Sequence, residues 1–186
     1  MNADDHLLWS QIADQNDEKA FDQLFIKYHP GLIQYSQTLL PYPADEAEDI
    51  ITEVFFKIWQ QRKNLKIRTS IASYLYTSVK NGINDYYRKR KVNTHESLES
   101  IADEADDEYT MPDHQLSYKE LDAEITQLIS RLPQRTQLVF RMNRHDHLTY
   151  EEIANILNIS INSVKTHMYR AIKFLKDAFR ASGALN

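Results

Sequence analysis

Side chains suited to gripping nucleic acid recur at helical spacing in two places. Between residues 70 and 91, Ser73, Thr77, Lys80, Asn81, Asn84 and Arg88 fall on one side of a helical wheel. Hydroxyls, carboxamides and cations gathered on one face can donate to phosphate oxygens and read exposed base edges. Tyr74 leans outward and offers a ring on which an unstacked base can lie, whereas Tyr76 sits nearer the apolar stripe and reads as packing. Arg68 adds a cation within the polar loop Gln61 to Ser70, and Arg88-Lys-Arg-Lys91 forms a phosphate clamp that gives affinity without sequence choice. In the second place Asn162, Thr166, Tyr169, Arg170 and Lys173 share a face, flanked by Ser163 and Lys165. That set matches a major groove: arginine pairs with guanine, asparagine and threonine reach base edges, and lysine meets phosphate.

A third group points to a protein partner. Asp49, Glu53, Phe56, Trp59 and Gln60 lie outside the stripe their helix needs for its core, and large rings beside exposed carboxylates suit an interface. Asp45 and Glu46 open the same helix, where negative charge complements the helix dipole. The sequence contains no glycine-rich phosphate loop, nucleophile elbow or paired catalytic acids, so neither catalysis nor a cofactor is expected. His145-Asp-His147 is a poor metal set on a polar turn and reads as solvated. With no cysteine, disulfides and thiolate metal sites are excluded.

The elements that must carry these residues are helical. Three glycines and five prolines in 186 residues disfavour a turn-rich β fold, and 42% hydrophobic content fills modest helical cores. Two short helices are expected over Asp4 to Tyr28 with a capping break at Asn16-Asp17, and Pro30-Gly31 interrupts the pattern before a helix from Leu32 to Leu40. Pro41-Tyr-Pro43 ends it. The acidic helix then buries Ala47, Ile51, Val54, Phe55 and Ile58, and the basic one buries Leu75, Val79, Ile83 and Tyr86. A stripe through Leu121, Ile125, Leu128 and Leu132 precedes Pro133, which opens a helix carrying Leu138, Val139 and Met142. Thr149-Tyr-Glu-Glu152 is a capping box, Asn158-Ile-Ser160 a turn, and Ser160 the cap of a longer helix through Val164, Met168, Ala171, Ile172, Leu175 and Phe179. With the small Ala154 where the two helices cross, this is a helix-turn-helix.

A net charge of -5 conceals two basic blocks: residues 61–91 hold nine Lys/Arg against one acid, and residues 131–186 hold nine against four. The intervening residues 92–130 hold one against eleven, so two nucleic-acid contacts are joined by a segment that avoids DNA. Val92 to Asp113 has too few apolar residues to fold alone and reads as a linker. Extended, such a segment reaches roughly 70 Å. No apolar run is long enough for a membrane span and the polar start is not a signal peptide, so the cytoplasm is expected.

The run DEAEDIITEVFFKIW followed by SYLYTSVKNGINDYYRKRK resembles domain two of the sigma-70 superfamily, most nearly its extracytoplasmic-function (ECF) group of RNA polymerase initiation factors. A second matching block spans Leu132 to Leu175. The resemblance implies an all-α protein of two small domains: domain two over residues 1–91, an acidic linker over 92–115, and a helix-turn-helix domain four over 116–186. It implies that the acidic helix docks on the β′ clamp helices of core polymerase, with the β flap as a further contact, and that the loop and helix after it capture and melt the -10 element. The second helix of the helix-turn-helix reads the -35 element, with Lys165, Thr166, Tyr169 and Arg170 carried over by position. Promoter DNA, core polymerase and an anti-sigma protein are the implied partners. The two promoter elements lie about two duplex turns apart, on the order of 68 Å, so the linker is nearly stretched when both are held. Asn158 departs from the family, most of whose members carry glycine there, although asparagine tolerates the left-handed conformation. The rival reading is a stand-alone helix-turn-helix regulator that binds an operator as a dimer, which leaves Asp45 to Lys91 without a use.

Overall fold

The structure, a computed structural model, describes residues 3–40, 44–67, 69–93 and 127–181. Among these residues there is no strand, and the expected all-α class holds. Helices α1 (Ala3–Gln15), α2 (Glu18–Leu39), α3 (Ala44–Gln61) and α4 (Ile71–Asn93) form one bundle. Helices α5 (Gln134–Arg144), α6 (Tyr150–Leu157) and α7 (Ile161–Ala181) form a second. Arg68 and residues 94–126, which include the linker from 94 on and the stripe residues Leu121 and Ile125, lie outside the described residues, whereas the clamp Arg88-Lys-Arg-Lys91 continues α4.

The break between α1 and α2 is where the sequence puts it. Asn16 takes a left-handed φ of 57°, and the Asp17 carboxylate accepts from the amides of Lys19 and Ala20 at 2.8 and 3.1 Å, which caps α2. The expected interruption at Pro30-Gly31 does not occur: α2 runs through it. Pro30 is on the exposed side, one turn after the 71% exposed Ile26, so the carbonyl that loses its amide partner faces water. On the opposite side Leu24, Tyr28, Leu32 and Tyr35 are buried as one stripe, and that packing overrides the local break.

One buried cluster runs through both bundles. The first bundle contributes Ile12 from α1, this α2 stripe, Ala47, Ile51, Val54, Phe55 and Ile58 from α3, and Leu75, Tyr76, Val79 and Ile83 from α4, and the second contributes Leu138, Val139 and Met142 from α5, Ile153, Ala154 and Ile156 from α6, and Val164, Met168 and Ala171 from α7. The two bundles touch: α5 packs on α2, and α6 packs on α4.

Candidate nucleic-acid interface

The helix-turn-helix is built as its sequence requires. Thr149 caps α6 by accepting from the Glu152 amide at 3.2 Å, while Glu152 accepts from the Thr149 amide at 2.9 Å. Asn158 ends α6 at φ 55°, ψ 45°, the left-handed conformation for which asparagine is tolerated. The Ser163 amide donates to Ser160 Oγ at 3.0 Å, so Ser160 starts α7. Val164, Met168 and Ala171 hold α7 against its neighbours, which turns Asn162, Lys165, Thr166, Tyr169, Arg170 and Lys173 outward, all of them exposed. Tyr169 shows 67% of its surface, unusual for a large ring and usable as a base or methyl contact. Ser163 is half-buried with its hydroxyl on Ser160, and Thr166 Oγ1 donates back to the Asn162 carbonyl, so these two hydroxyls are partly used within the helix. His167 was not singled out in the sequence. It is buried on the inner side of α7 with Nδ1 2.9 Å from Thr136 Oγ1, and its place three residues after Val164, inside the apolar arc, is the signal for it.

Along α4 the expected face is divided. Ser70 caps the helix, accepting from the Ser73 amide at 3.1 Å, and Thr77, Asn81, Asn84 and Arg88 are exposed. Arg88 pairs with Asp85 at 3.0 Å on the surface, and Ser73 is half-buried. Tyr74 is not a free platform: it is half-buried and lines a groove of about 210 Å³ between α3 and α4, beside Val54, Lys57 and Asn81. Tyr76 is fully buried, in keeping with packing, with its ring 5.4 Å from that of Tyr35. Lys80 departs most from expectation. Its ammonium is turned onto the end of α6, donating to the carbonyls of Ile156 at 2.8 Å and Asn155 at 3.2 Å, and burial lowers its pKa. A position four residues after buried Tyr76 shares its side of the helix, which the hydrophilic face drawn from composition overlooks.

On α3, Asp49, Glu53, Phe56 and Gln60 are exposed, and Phe56 shows 58% of its surface. Glu53 accepts from Lys57 at 2.7 Å, which holds its carboxyl below the usual range. Trp59 is a correction: it is half-buried, its ring 5.0 Å from Phe21 and covered by the Arg62 guanidinium at 3.9 Å. It belongs in good part to the core. The turn His145-Asp-His147 also differs from the solvated reading. Both histidines are exposed, but Asp146 is 2% exposed and points into the first bundle.

A helix-turn-helix and a basic helix beside an acidic one are, in this chain, matched by two family models: "Sigma-70 region 2" over residues 24–92 and "Sigma-70, region 4" over residues 122–175. The chain belongs to the sigma-70 family. It is an RNA polymerase sigma factor of the ECF type. Among relatives, this sigma factor is 27% identical over 173 residues to "ECF RNA polymerase sigma factor SigW" of Bacillus subtilis, covering 89% of this chain and 92% of that one. It is 22% identical to "RNA polymerase sigma-H factor" of Pseudomonas aeruginosa, with 89% of each covered. It is also 22% identical to "ECF RNA polymerase sigma-E factor" of Escherichia coli K12, with 84% and 85% covered. Among solved structures, CnrH in complex with the cytosolic domain of CnrY aligns with a TM-score of 0.49 at 18% identity, over 96% of this chain and 99% of that one. The sigma factor RpoE in complex with the anti-sigma factor NepR, from Bartonella quintana, aligns with a TM-score of 0.45 at 20% identity, over 87% and 98%.

Proposed function

We propose that the sigma factor directs core polymerase by holding two promoter elements, with α7 in the major groove of the -35 element and α4 on the melted -10 element. The observation that carries this reading is the outward set on α7, Asn162, Lys165, Thr166, Tyr169, Arg170 and Lys173, presented by a capped helix-turn-helix. Thr77, Asn81, Asn84 and Arg88 of α4 supply hydroxyl, amide and cationic contacts to a separated strand, with Ser73, Tyr74 and Lys80 joining once accessible. Arg68 belongs with them by sequence. Asp49, Glu53, Phe56 and Gln60 of α3, with the exposed edge of Trp59, dock on the β′ clamp helices, and the second bundle meets the β flap. Residues 1–91 and 116–186 act as the two working domains and 92–115 as the tether. An anti-sigma protein holds the factor in reserve in the cytoplasm, and no helix of the described residues is long and apolar enough to cross a membrane. The factor acts by binding.

Run-off transcription with added core polymerase, on a promoter library randomised at both elements, tests this reading. Selection of two elements about two turns apart is expected. Charge reversal at Asp49 and Glu53 is expected to abolish capture of core polymerase while the thermal midpoint stays put, since both side chains are exposed. Unchanged capture would overturn the docking assignment.

A further inference from the structure

The loop between α3 and α4 has no regular structure to fix it, yet one residue ties its first turn to two other parts of the bundle. Arg62 lies just past the end of α3 and is half-buried. Its guanidinium covers the Trp59 ring at 3.9 Å, donates through Nε to Asn16 Oδ1 at 3.1 Å, and donates through Nη1 to the Trp59 carbonyl. That carbonyl is one of the last-turn acceptors that a helix cannot satisfy from within. Asn16 is the left-handed residue, φ 57°, at the corner between α1 and α2, 46 residues away along the chain. Trp59 in turn packs on Phe21 of α2. A planar cation with donors in a fixed fork suits such a brace, because it stacks on a ring and bonds two separate acceptors at once. Beyond it, the amides of Asn64 and Leu65 both donate to the Gln61 carbonyl, at 2.8 and 2.9 Å, and Leu65 and Ile67 pack against the core. Lys63, Asn64 and Lys66 are left exposed between these anchors.

We infer that Arg62 is a positioning residue for the -10 element: it touches no DNA itself, and it holds the turn over residues 62–64 so that Lys63, Asn64 and Lys66 meet the separated strand in one arrangement. The inference rests on the reading above, in which α4 with the polar loop before it takes the melted -10 element. Discrimination between bases requires side chains that are in place before the strand arrives, because a mobile loop re-packs around a wrong base as readily as around the right one. Exposed polar residues on a loose turn would give phosphate affinity without choice. Asn16 and Trp59 stand at the α1–α2 corner and on α3, not on α4, so the turn keeps its place while α4 engages the strand.

Two variants remove the brace from opposite ends. Arg62→Met keeps an apolar stem over Trp59 and removes the donors, whereas Asn16→Gly removes the acceptor and keeps the left-handed backbone without strain. Asn16 carries no charge, so a change of selectivity through it is not a lost phosphate contact. A nitroxide on a cysteine introduced at exposed Lys63 reports the turn directly, the native chain having no cysteine to compete. On the free full chain both variants are expected to mobilise the label while the thermal midpoint changes little. Run-off transcription with core polymerase, on promoters randomised at the -10 element, reads selectivity in the unlabelled proteins. Both variants are expected to lose about two- to tenfold of the preference for the favoured sequence over its single-base changes, and to keep the -35 preference. The double variant is expected to lose no more than Arg62→Met alone. Wild-type label mobility in both variants overturns the brace. A mobilised label with wild-type -10 preference, or losses that add in the double variant, overturns the positioning role. If the wild type itself selects no -10 element, the promoter reading fails, and label mobility alone decides whether Arg62 holds the turn.

Discussion

The two bundles pack on each other, and this closed form should tighten as the solution is made mildly acidic, with Asp146 setting the size of the effect. Burial pushes its carboxyl from the ordinary 3.8 up to about 6, against the opposing pull of the Tyr76 hydrogen bond and the charges of Arg141, Lys27 and His147. Those groups, with Tyr28 on α2 and His145 beside it in the turn, are the titratable and charged neighbours that face it. A group whose pKa is raised in the closed form adds stability that is complete below its open-form pKa and disappears as pH rises through the closed-form value. A change from 3.8 to about 6 corresponds to about 3 kcal/mol between the protonated and ionised junction. Between about pH 7.5 and about pH 5.5 the recovered part is about 0.8 kcal/mol, close to a fourfold rise in the closed-to-open ratio. His145 acts in the opposite sense, because burial and the Arg141 charge depress its pKa, so its protonation opposes compaction as pH falls. The measurement is therefore the difference in energy-transfer pH profiles between wild type and Asp146→Asn, each carrying a dye pair at cysteines introduced at exposed Asp22 and Lys176. Equal slopes in the two proteins would show that the Asp146 charge is not what the closed form excludes, and the reasoning would fail.

Three further outcomes follow from local geometry. Thr149→Ala removes the side-chain half of the α6 capping box, the acceptor for the Glu152 amide, and should lower stability of the second bundle by about 1 kcal/mol, read from thermal unfolding. Asn158→Gly relieves a left-handed backbone at φ 55° and should raise stability by about 0.5–1 kcal/mol by the same assay. Tyr169→Ala, at a position 67% exposed, should leave the melting curve unchanged while weakening transcription from promoters that depend on the -35 element; unchanged promoter dependence would remove Tyr169 from the recognition face.

Local signals were legible wherever one residue decided one outcome. The Asp17 cap, the Thr149 capping box, the left-handed Asn158 and the Ser160 start of α7 each depend on chemistry within four residues, and each appears as the sequence states. Pro30 misled because its helix-breaking tendency is local, whereas α2, with its stripe from Leu24 to Tyr35, is held by four other helices. Trp59 misled for a related reason: its position beyond the α3 stripe says nothing about Phe21 on another helix or Arg62 in the following loop, which cover it. Asp146 and Lys80 were not legible at all, because their partners lie 70 and 76 residues away along the chain. Solvation is the correct expectation for a charged residue until another surface arrives.

Asp146 and its neighbour Arg141 explain why the closed form can be temporary. A permanent interface would match its buried polar atoms, yet Asp146 Oδ1 and Arg141 Nε are buried without a hydrogen-bond partner at the junction where Tyr76 and Gly31 meet them. Each such atom costs about 1–3 kcal/mol, comparable to what a hydrogen bond to a charged group contributes. The junction is thus held by apolar packing and a few directional contacts and opposed by its own unsatisfied groups, a balance that a docking surface of ordinary size can reverse. Replacing Asp146 and Arg141 together by apolar residues of similar volume, with Tyr76→Phe so that no buried hydroxyl loses its acceptor, should remove the opposing cost, and by that logic lock the bundles closed. Helices that pack on each other through α4 and α6 cannot hold elements on the order of 68 Å apart. The locked protein would therefore retain its fold, lose transcription with core polymerase, and show energy transfer that no longer falls when polymerase is added; a locked protein that still initiates would mean that closure never stood in the way.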